Sequence, residues 1–408
     1  MSDLALLGGT PVRTRPFPKY PVLGEEEIAA ATEVIRAGNL CSQMGYQVEA
    51  FESEFAAYCG ADFGVATSSG TTALHAALAA CGVGVGDEVI VPPYTFLSTA
   101  TSVLMQNAIP VFADVEPDTL GLDPDEVKAK ITPRTKAVIV VHMHGYPTDL
   151  DGLMAVAEEH DLFVIEDCSH AHGAEYHGHK VGTIGHLGAF SFQQRKNLSI
   201  GEGGIVIARD EGLAAKAKAF RSFGPLPLAY NFRMTELHGA IGRVRLRRLD
   251  EQNASRIQNA QYLDRNLADL PGLAPQVVRP ETEAVYYNYV IRCAEEELGI
   301  SRDRLVEAVR AEGIPLSLIY YPLYRHQTFQ ALNAYGHGSP FRCLFYDVPD
   351  DERPSYGDGM CPVTEAACDR QNVELKVHPP ATVQDMADVV AAFQKVVVHV
   401  DELKARTP

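Results

Sequence analysis

Lys196 lies in the stretch SFQQRKNLSIGEGGIVIA, residues 191–208, between a serine-led polar run and a glycine-rich turn that opens an apolar strand. A lysine in such a place is a solvated cation, a phosphate contact or, where burial strips its proton, a nucleophile toward a carbonyl carbon. Its neighbour Arg195 is barred from the last role, because a guanidinium effectively never deprotonates. Charge alone leaves the three readings open.

Three other stretches bear on the choice. In IEDCSHAHG, 165–173, Asp167 ends an apolar run. A carboxylate there is costly unless it meets a cation or donors. It either caps the following turn or faces a protonated heteroaromatic nitrogen, as in a pyridoxal phosphate site. His170 is placed to lay its ring against a flat cofactor. In SSGTTALHAAL, from Ser68, small hydroxyls and a glycine at a strand-to-helix turn leave backbone N–H groups for a phosphate, although capping alone accounts for Ser and Thr there. In YNFRMTELHGAIG, 230–242, Asn231 and Arg233 are candidates for an anion contact or a subunit edge, beside a plain capped helix start at Thr235. His142, His144, His170 and His172 form two HxH pairs. Neither pair has a third ligand at a characteristic zinc spacing, so no metal site is expected.

Periodicity sets the elements that must carry these residues. EEEIAAATEVIRAG and VEAFESEFAAYCG read as helices. Short, nearly continuous apolar strands at 89–91, 109–115, 137–145 and 162–167 alternate with helix-like STATSVLMQ, DPDEVKAKI and LDGLMAVAEEH. That rhythm predicts an α/β layered domain with a mainly parallel sheet and functional groups at strand C-terminal ends. Beyond residue 205 the pattern changes. Residues 232–270 read as one long connecting helix, followed by strand VYYNYVIRC, helix SRDRLVEAVRAEG, strand LSLIYY and a final helix TVQDMADVVAAFQKVVVHV. The boundary is expected near 255, dividing an N-terminal arm and large α/β domain, 1–255, from a small C-terminal domain, 256–408.

Composition narrows the class. The 408 residues are 46% hydrophobic and 22% charged, with a formal net charge of −18. That balance suits a large soluble core and disfavours a nucleic-acid backbone as partner. The eight cysteines include no CxxC pair, and MSDLALLGGTPVRTRPFPKYP has no charged-then-apolar signal pattern. The longest apolar runs are strand-sized or interrupted, so no membrane span is expected and the location expected is cytoplasmic.

Together, SSGTTAL, GDEVIVPPYTF, IPVFADVEPDT, VIEDCSHAHGA, GAFSFQQRKNLSIGEGG and NFRMTELHGAIG resemble, in order and spacing, the sugar and cyclitol aminotransferase family of pyridoxal-phosphate enzymes. The resemblance runs across almost the whole chain. It implies the type I aminotransferase fold, with a large central α/β domain and a smaller C-terminal one. It also implies pyridoxal 5′-phosphate as cofactor, with pyridoxamine 5′-phosphate carrying the amino group between half-reactions. On this pattern Lys196 is the Schiff-base lysine, Asp167 the pyridinium partner, and His170 the side chain stacked on the cofactor ring. Ser69, Gly70, Thr71 and Ser191 are phosphate-site residues, and Tyr94 is an aromatic on the opposite ring face. Asn231 reaches the phosphate of the neighbouring subunit, which implies a homodimer with shared active sites. GEGG is then a tight turn beyond the lysine.

Lys196 favours transamination over the family's dehydratases, which commonly carry His at that position. The opening LGGTPVR and the body of the chain look closest to the branch that aminates keto-inositols, including scyllo-inosose, with glutamine; glutamate is the other usual donor. Nucleotide-4-keto-sugar aminotransferases and aromatizing aminohydroxybenzoate synthases have related openings and are the alternatives. In YYPLYRH, Tyr320, Tyr321, Tyr324 and His326 are candidate substrate contacts, with aromatic core packing as the competing account.

Overall fold

The computed structural model describes residues 2–225, 228–349 and 353–404. Strands β1 (Phe63–Thr67), β2 (Glu88–Val91), β3 (Ile109–Phe112), β4 (Thr135–Val141) and β5 (Phe163–Asp167) alternate with helices. A small ribbon, β6 (Glu175–Tyr176) and β7 (His179–Lys180), precedes β8 (Leu187–Ser191) and β9 (Gly204–Ala208). Seven of these strands form the central sheet, in the order β1-β9-β8-β5-β4-β2-β3.

Successive side chains of a strand point to opposite faces. Val65, Val89, Val91, Ile139, Val141, Ile165 and Val206 accordingly join the core on one face, and Ala66, Ile90, Val138, Val140, Val164, Ile205 and Ile207 the core on the other. Because both faces are covered, the strands read as unbroken apolar runs rather than alternating ones. The sheet is mixed rather than uniformly parallel. β8, β5, β4, β2 and β3 run parallel, but β9 is antiparallel to both β1 and β8. The short connection through the 191–204 turn, which holds Lys196, returns the chain beside β8 as a hairpin partner.

A second, smaller layer follows. β10 (Leu273–Pro275), β11 (Thr282–Glu283), β12 (Tyr289–Cys293) and β13 (Asn372–Leu375) come next in the chain. β10, β12 and β13 form an antiparallel sheet. Leu305 and Val309 of helix Arg302–Ala311 and Met386, Val390 and Phe393 of helix Val383–Val398 cover it. Leu4, fully buried, inserts into the same core, so the N-terminal arm packs on the C-terminal layer.

Three expectations change on the structure. Residues 232–270 form two helices, Glu236–Arg247 and Leu249–Leu267. Arg248 between them takes φ −103°, ψ 0°, and its guanidinium is held by Glu26 at 2.6 Å. The run VYYNYVIRC is a strand only from Tyr289, because Tyr286 adopts a left-handed backbone (φ 50°) and the Val285 and Asn288 N–H groups donate to the carbonyls of Gly145 and His144. LSLIYY carries one bridge, Ser317 to Glu374, rather than a strand.

Beyond it the chain folds back on the large sheet. Tyr346 and Tyr356 donate to the Glu88 carboxylate at 2.8 Å and the Pro110 carbonyl at 2.6 Å, and Tyr324, Phe329 and Phe341 join the core of that layer. Among the described residues no helix is long and apolar enough to cross a membrane.

Candidate active site

A cavity of about 430 Å³ opens at the C-terminal end of β5, between the two layers. Its wall includes Ser69, Gly70, Thr71, Asp167, His170 and Ser191, with Lys196 beside them. These residues come from three separated stretches of the sequence, gathered because β8 and β5 are neighbours and the helix Gly70–Ala80 packs across β8 and β9.

Asp167 closes β5 and is 5% exposed. Its Oδ1 accepts the Ser169 N–H at 3.1 Å and its Oδ2 accepts the Thr99 hydroxyl at 2.9 Å. Among the described residues no basic side chain is within ion-pair distance of it. A buried carboxylate with two neutral donors still has lone pairs for a cationic N–H. Lys196 is 9% exposed, and its Nζ lies 4.8 Å from the centroid of the Tyr287 ring. Burial pushes its amine down to about 8, with Asp167 pulling the other way. That is the environment in which a lysine becomes a nucleophile near neutral pH.

The helix Gly70–Ala80 starts with a capping box, in which the Ser69 Oγ accepts the Thr72 N–H at 3.2 Å and the Ser69 N–H donates to the Thr72 hydroxyl at 3.0 Å. The N–H groups of Gly70 and Thr71 sit in the first turn, where a helix has no internal acceptor for them. Both residues border the cavity, so a phosphate-sized anion fits there. The approach is close. A Cβ on Gly70 would lie 2.5 Å from the Ser191 Cβ, and one on Gly204 would lie 2.2 Å from the Ser69 carbonyl.

His170 lies parallel to Tyr287, with ring centroids 4.0 Å apart and an interplanar angle of 7°. Burial holds its imidazole far below the ordinary range and therefore neutral, and its Nδ1 has no hydrogen-bond partner.

Other expected residues stand elsewhere. Tyr94 is buried away from the cavity wall, its hydroxyl bonded to His144 Nε2 at 2.9 Å and Asn372 Nδ2 at 3.1 Å; Thr95 and Phe96 border the cavity in its place. Asn231 is exposed and does not line this cavity. Of the four tyrosine and histidine candidates only Tyr320 reaches the wall. Tyr324 is buried against Phe112 and donates to Glu365, Tyr321 is partly exposed, and His326 caps the short helix Gln327–Gln330 through Nδ1.

The histidine pairs do not converge. His142 bonds Glu166 at 3.0 Å, His144 bonds Tyr94 and Asn288, and His172 lies between Phe190 and Phe192. His142, Glu166 and Cys168 are close enough to share an ion, but the Glu166 oxygens already take three backbone N–H groups besides the imidazole. Thr99, Phe96, Gln193, Arg195, Glu202 and Tyr287 also belong to the site, and the sequence gave none of them a role in it. The PPYTF run was a signal for Phe96; Tyr287 offered none.

Residues 21–340 match the DegT/DnrJ/EryC1/StrS aminotransferase family. An L-glutamine:2-deoxy-scyllo-inosose aminotransferase of Streptomyces kanamyceticus is 42% identical, over 98% of this chain and 97% of the relative. An enzyme of the same name from Streptoalloteichus tenebrarius is 38% identical, over 98% and 99%. The X-ray structure of the aminotransferase from Psychrobacter cryohalolentis superposes with a TM-score of 0.85 at 31% identity, over 95% of this chain and all of that one. The architecture is that of the type I pyridoxal-phosphate aminotransferases, with a large mixed-sheet layer and a smaller C-terminal α/β layer. The chain therefore belongs to the DegT/DnrJ/EryC1/StrS family and is a pyridoxal-phosphate-dependent aminotransferase.

Proposed function

We propose that this aminotransferase moves an amino group from glutamine, or glutamate, to the ketone of a cyclitol of the scyllo-inosose type. The observation that carries the acceptor is the pair of scyllo-inosose relatives matched over 97% or more of both chains.

The residues fit the cofactor at three points. Lys196 supplies a buried amine within the cavity, Asp167 a buried carboxylate with a free lone pair, and Ser69–Thr71 with Ser191 an anion seat at a helix N-terminus. Bound pyridoxal 5′-phosphate supplies an aldehyde that takes up the amino group and a ring that withdraws electrons from the carbon losing its proton. Asp167 holds the ring nitrogen protonated. His170 would offer the ring the face that Tyr287 leaves uncovered, and Phe96 rather than Tyr94 is the aromatic of the PPYTF run at the cavity wall. Nζ of Lys196, with its proton affinity lowered by burial, takes the proton from the donor Cα.

The active unit in this reading is a soluble cytoplasmic homodimer. Asn231 is exposed and pairs with Ser222, next to exposed Phe223, a surface suited to a second copy of the chain.

The test is spectroscopic. The reconstituted protein is mixed with glutamine or glutamate, then with scyllo-inosose, 2-deoxy-scyllo-inosose or a nucleotide-linked 4-keto sugar. The expected result is cofactor conversion by the donor and reversal by an inosose, with the lysine-linked absorbance lost in Lys196→Ala. Reversal by the nucleotide-linked sugar alone, or an aromatic or deaminated product without net transfer, overturns the acceptor assignment.

A further inference from the structure

β4 ends at Val141, and one tight turn, Met143–Gly145, follows it. His144 in that turn is fully buried and has a left-handed backbone, φ 58°. A residue with a Cβ is uncommon there, and such strain persists only where the surroundings over-determine it. The chemistry described so far gives this histidine no role.

Its surroundings come from both layers. Nε2 lies 2.9 Å from the Tyr94 hydroxyl, and Nδ1 lies 2.9 Å from the side-chain amide of Asn288. Asn372 Nδ2 donates to the same Tyr94 oxygen at 3.1 Å. Val290 of β12 packs in the core of the large layer. Asn288, two residues before it, and Asn372, paired with Arg292 across the ladder, share its face of the small sheet. The imidazole therefore joins the two layers directly behind the cavity. Its ring stands 5.2 Å from the Tyr320 ring, edge to face, and 6.3 Å from the His170 ring at an interplanar angle of 16°. Both of those rings border the cavity. The backbone of the same turn grips a third, Tyr287. The His144 and Gly145 carbonyls accept the N–H groups of Asn288 at 3.3 Å and Val285 at 3.0 Å. A Cβ on Gly145 would lie 2.9 Å from the His170 carbonyl oxygen and 3.0 Å from the Tyr287 nitrogen.

The hydrogen bonds also fix the ring's proton. Burial, with Lys376 nearby, pushes the imidazole down to about 3, so it is neutral, with one N–H and one acceptor nitrogen. Asn372 meets the Tyr94 oxygen as a donor, which leaves the Tyr94 hydroxyl to donate to Nε2. The ring proton then belongs on Nδ1, facing the Asn288 amide, whose Oδ1 has no other partner and reaches Nδ1 by a half-turn of the amide. One directed chain results, from Asn372 through Tyr94 and His144 to Asn288.

We propose that His144 is a positioning residue of the cofactor cavity, which through this chain and its strained turn sets where His170, Tyr287 and Tyr320 stand. It touches neither cofactor nor substrate. The proposal rests on the reading above in which His170 lies against the cofactor ring, and it is independent of which ketone is aminated. A small displacement of a wall that orients the reacting groups lowers the rate more than it weakens substrate binding.

The experiment compares His144→Phe, which keeps a flat ring and loses both side-chain hydrogen bonds, with His144→Gln, whose amide can accept from Tyr94 and donate to Asn288. Both replacements carry the same unfavourable backbone, so their difference reports the hydrogen bonds. Tyr94→Phe breaks the same chain without touching the strained turn, and it decides the matter if His144→Phe fails to fold. In His144→Phe and Tyr94→Phe the Kd of the cofactor-free protein for pyridoxal 5′-phosphate rises on the order of tenfold. The visible circular dichroism of the bound cofactor weakens, and kcat falls further than KM rises for either substrate. His144→Gln keeps most of each. In the cofactor-free wild type, imidazole nitrogen NMR finds the His144 proton on Nδ1, with no titration across the neutral range. A lower melting temperature with unchanged Kd and dichroism makes His144 a packing residue and overturns the proposal. A ring proton on Nε2, or equal losses in the Phe and Gln variants, does the same. His170→Ala separates this proposal from the reading beneath it. If that variant keeps the dichroism while Tyr94→Phe weakens it, the stack named under the proposed function is wrong and His144 still positions Tyr287 and Tyr320.

Discussion

The Tyr20 hydroxyl sits 2.8 Å from the carbonyl oxygen of Lys196 and 2.8 Å from that of Asn197. Tyr20 belongs to the N-terminal arm and stacks on His378 of the C-terminal layer, with centroids 4.4 Å apart. Fully buried Arg256 ties the same group together, bonding the Tyr20 hydroxyl, the Asn197 carbonyl, His378 Nδ1 and Asn253 Oδ1. The backbone at the reactive lysine is thus held by parts of the chain from both layers. Tyr20→Phe keeps the ring stack and loses the hydroxyl, at about 1 kcal/mol of stability. The expected kinetic result is a lower kcat with little change in KM, since the hydroxyl touches no substrate. Steady-state kinetics beside a thermal melt checks this, and a pure KM effect would contradict it.

Thr99 is the second lever on the site. Its hydroxyl gives Asp167 one of two donors, and the carboxylate is nearly inaccessible to water. Removing one partner of a buried polar group costs about 1–3 kcal/mol. Thr99→Val is expected to release cofactor on the order of tenfold more readily, and Thr99→Ser to retain it. Equilibrium dialysis of the holoenzyme measures both, and identical retention in Thr99→Val would show that Asp167 does not need that hydroxyl.

How far the sequence foretold this arrangement depends on the range over which each residue acts. Asp167, Ser69–Thr71 and Ser191 sit at strand or helix ends, where local pattern marks candidates, while Lys196, in the turn beyond β8, was singled out among its open readings by the family resemblance. Tyr94 and Phe96 share the bent PPYTF run, and a bend decides which ring turns inward; periodicity has no information about it. The strand expected from Val285 begins at Tyr289 because His144 and Gly145, far away in the sequence, capture the backbone that would have extended it. Tyr287 enters the cavity by the same capture. Long-range contact, not local propensity, made these residues illegible.

The lysine amine makes stability depend on pH. Its folded value of about 8 lies below the ordinary 10.5, so the folded chain disfavours a proton that the unfolded chain keeps. The resulting penalty is fully present below pH 8, shrinks between pH 8 and 10.5, and is gone above. It amounts to at most about 3 kcal/mol. Lys196→Met keeps the volume and removes the charge, so the cofactor-free variant is expected to be more stable than the cofactor-free wild type at pH 7. That advantage should fade as the pH approaches 10. Urea midpoints at the two pH values test it, and an advantage independent of pH would exclude a buried amine as the cause.

Subunit complementation tests the shared site. Asn231 is exposed and does not line its own cavity, whereas Lys196 is buried within its own. If Asn231 serves the neighbouring subunit, Asn231→Ala and Lys196→Ala homodimers each carry two damaged sites. A mixed dimer instead unites the intact Lys196 of one chain with the intact Asn231 of the other and so contains one complete site. Unfolding and refolding the two variants together is therefore expected to restore activity that neither shows alone, in proportion to the mixed dimer isolated by differential tags. If Asn231 acted only within its own chain, that mixed site would hold a damaged residue in either subunit, and activity would stay at the average of the two parents.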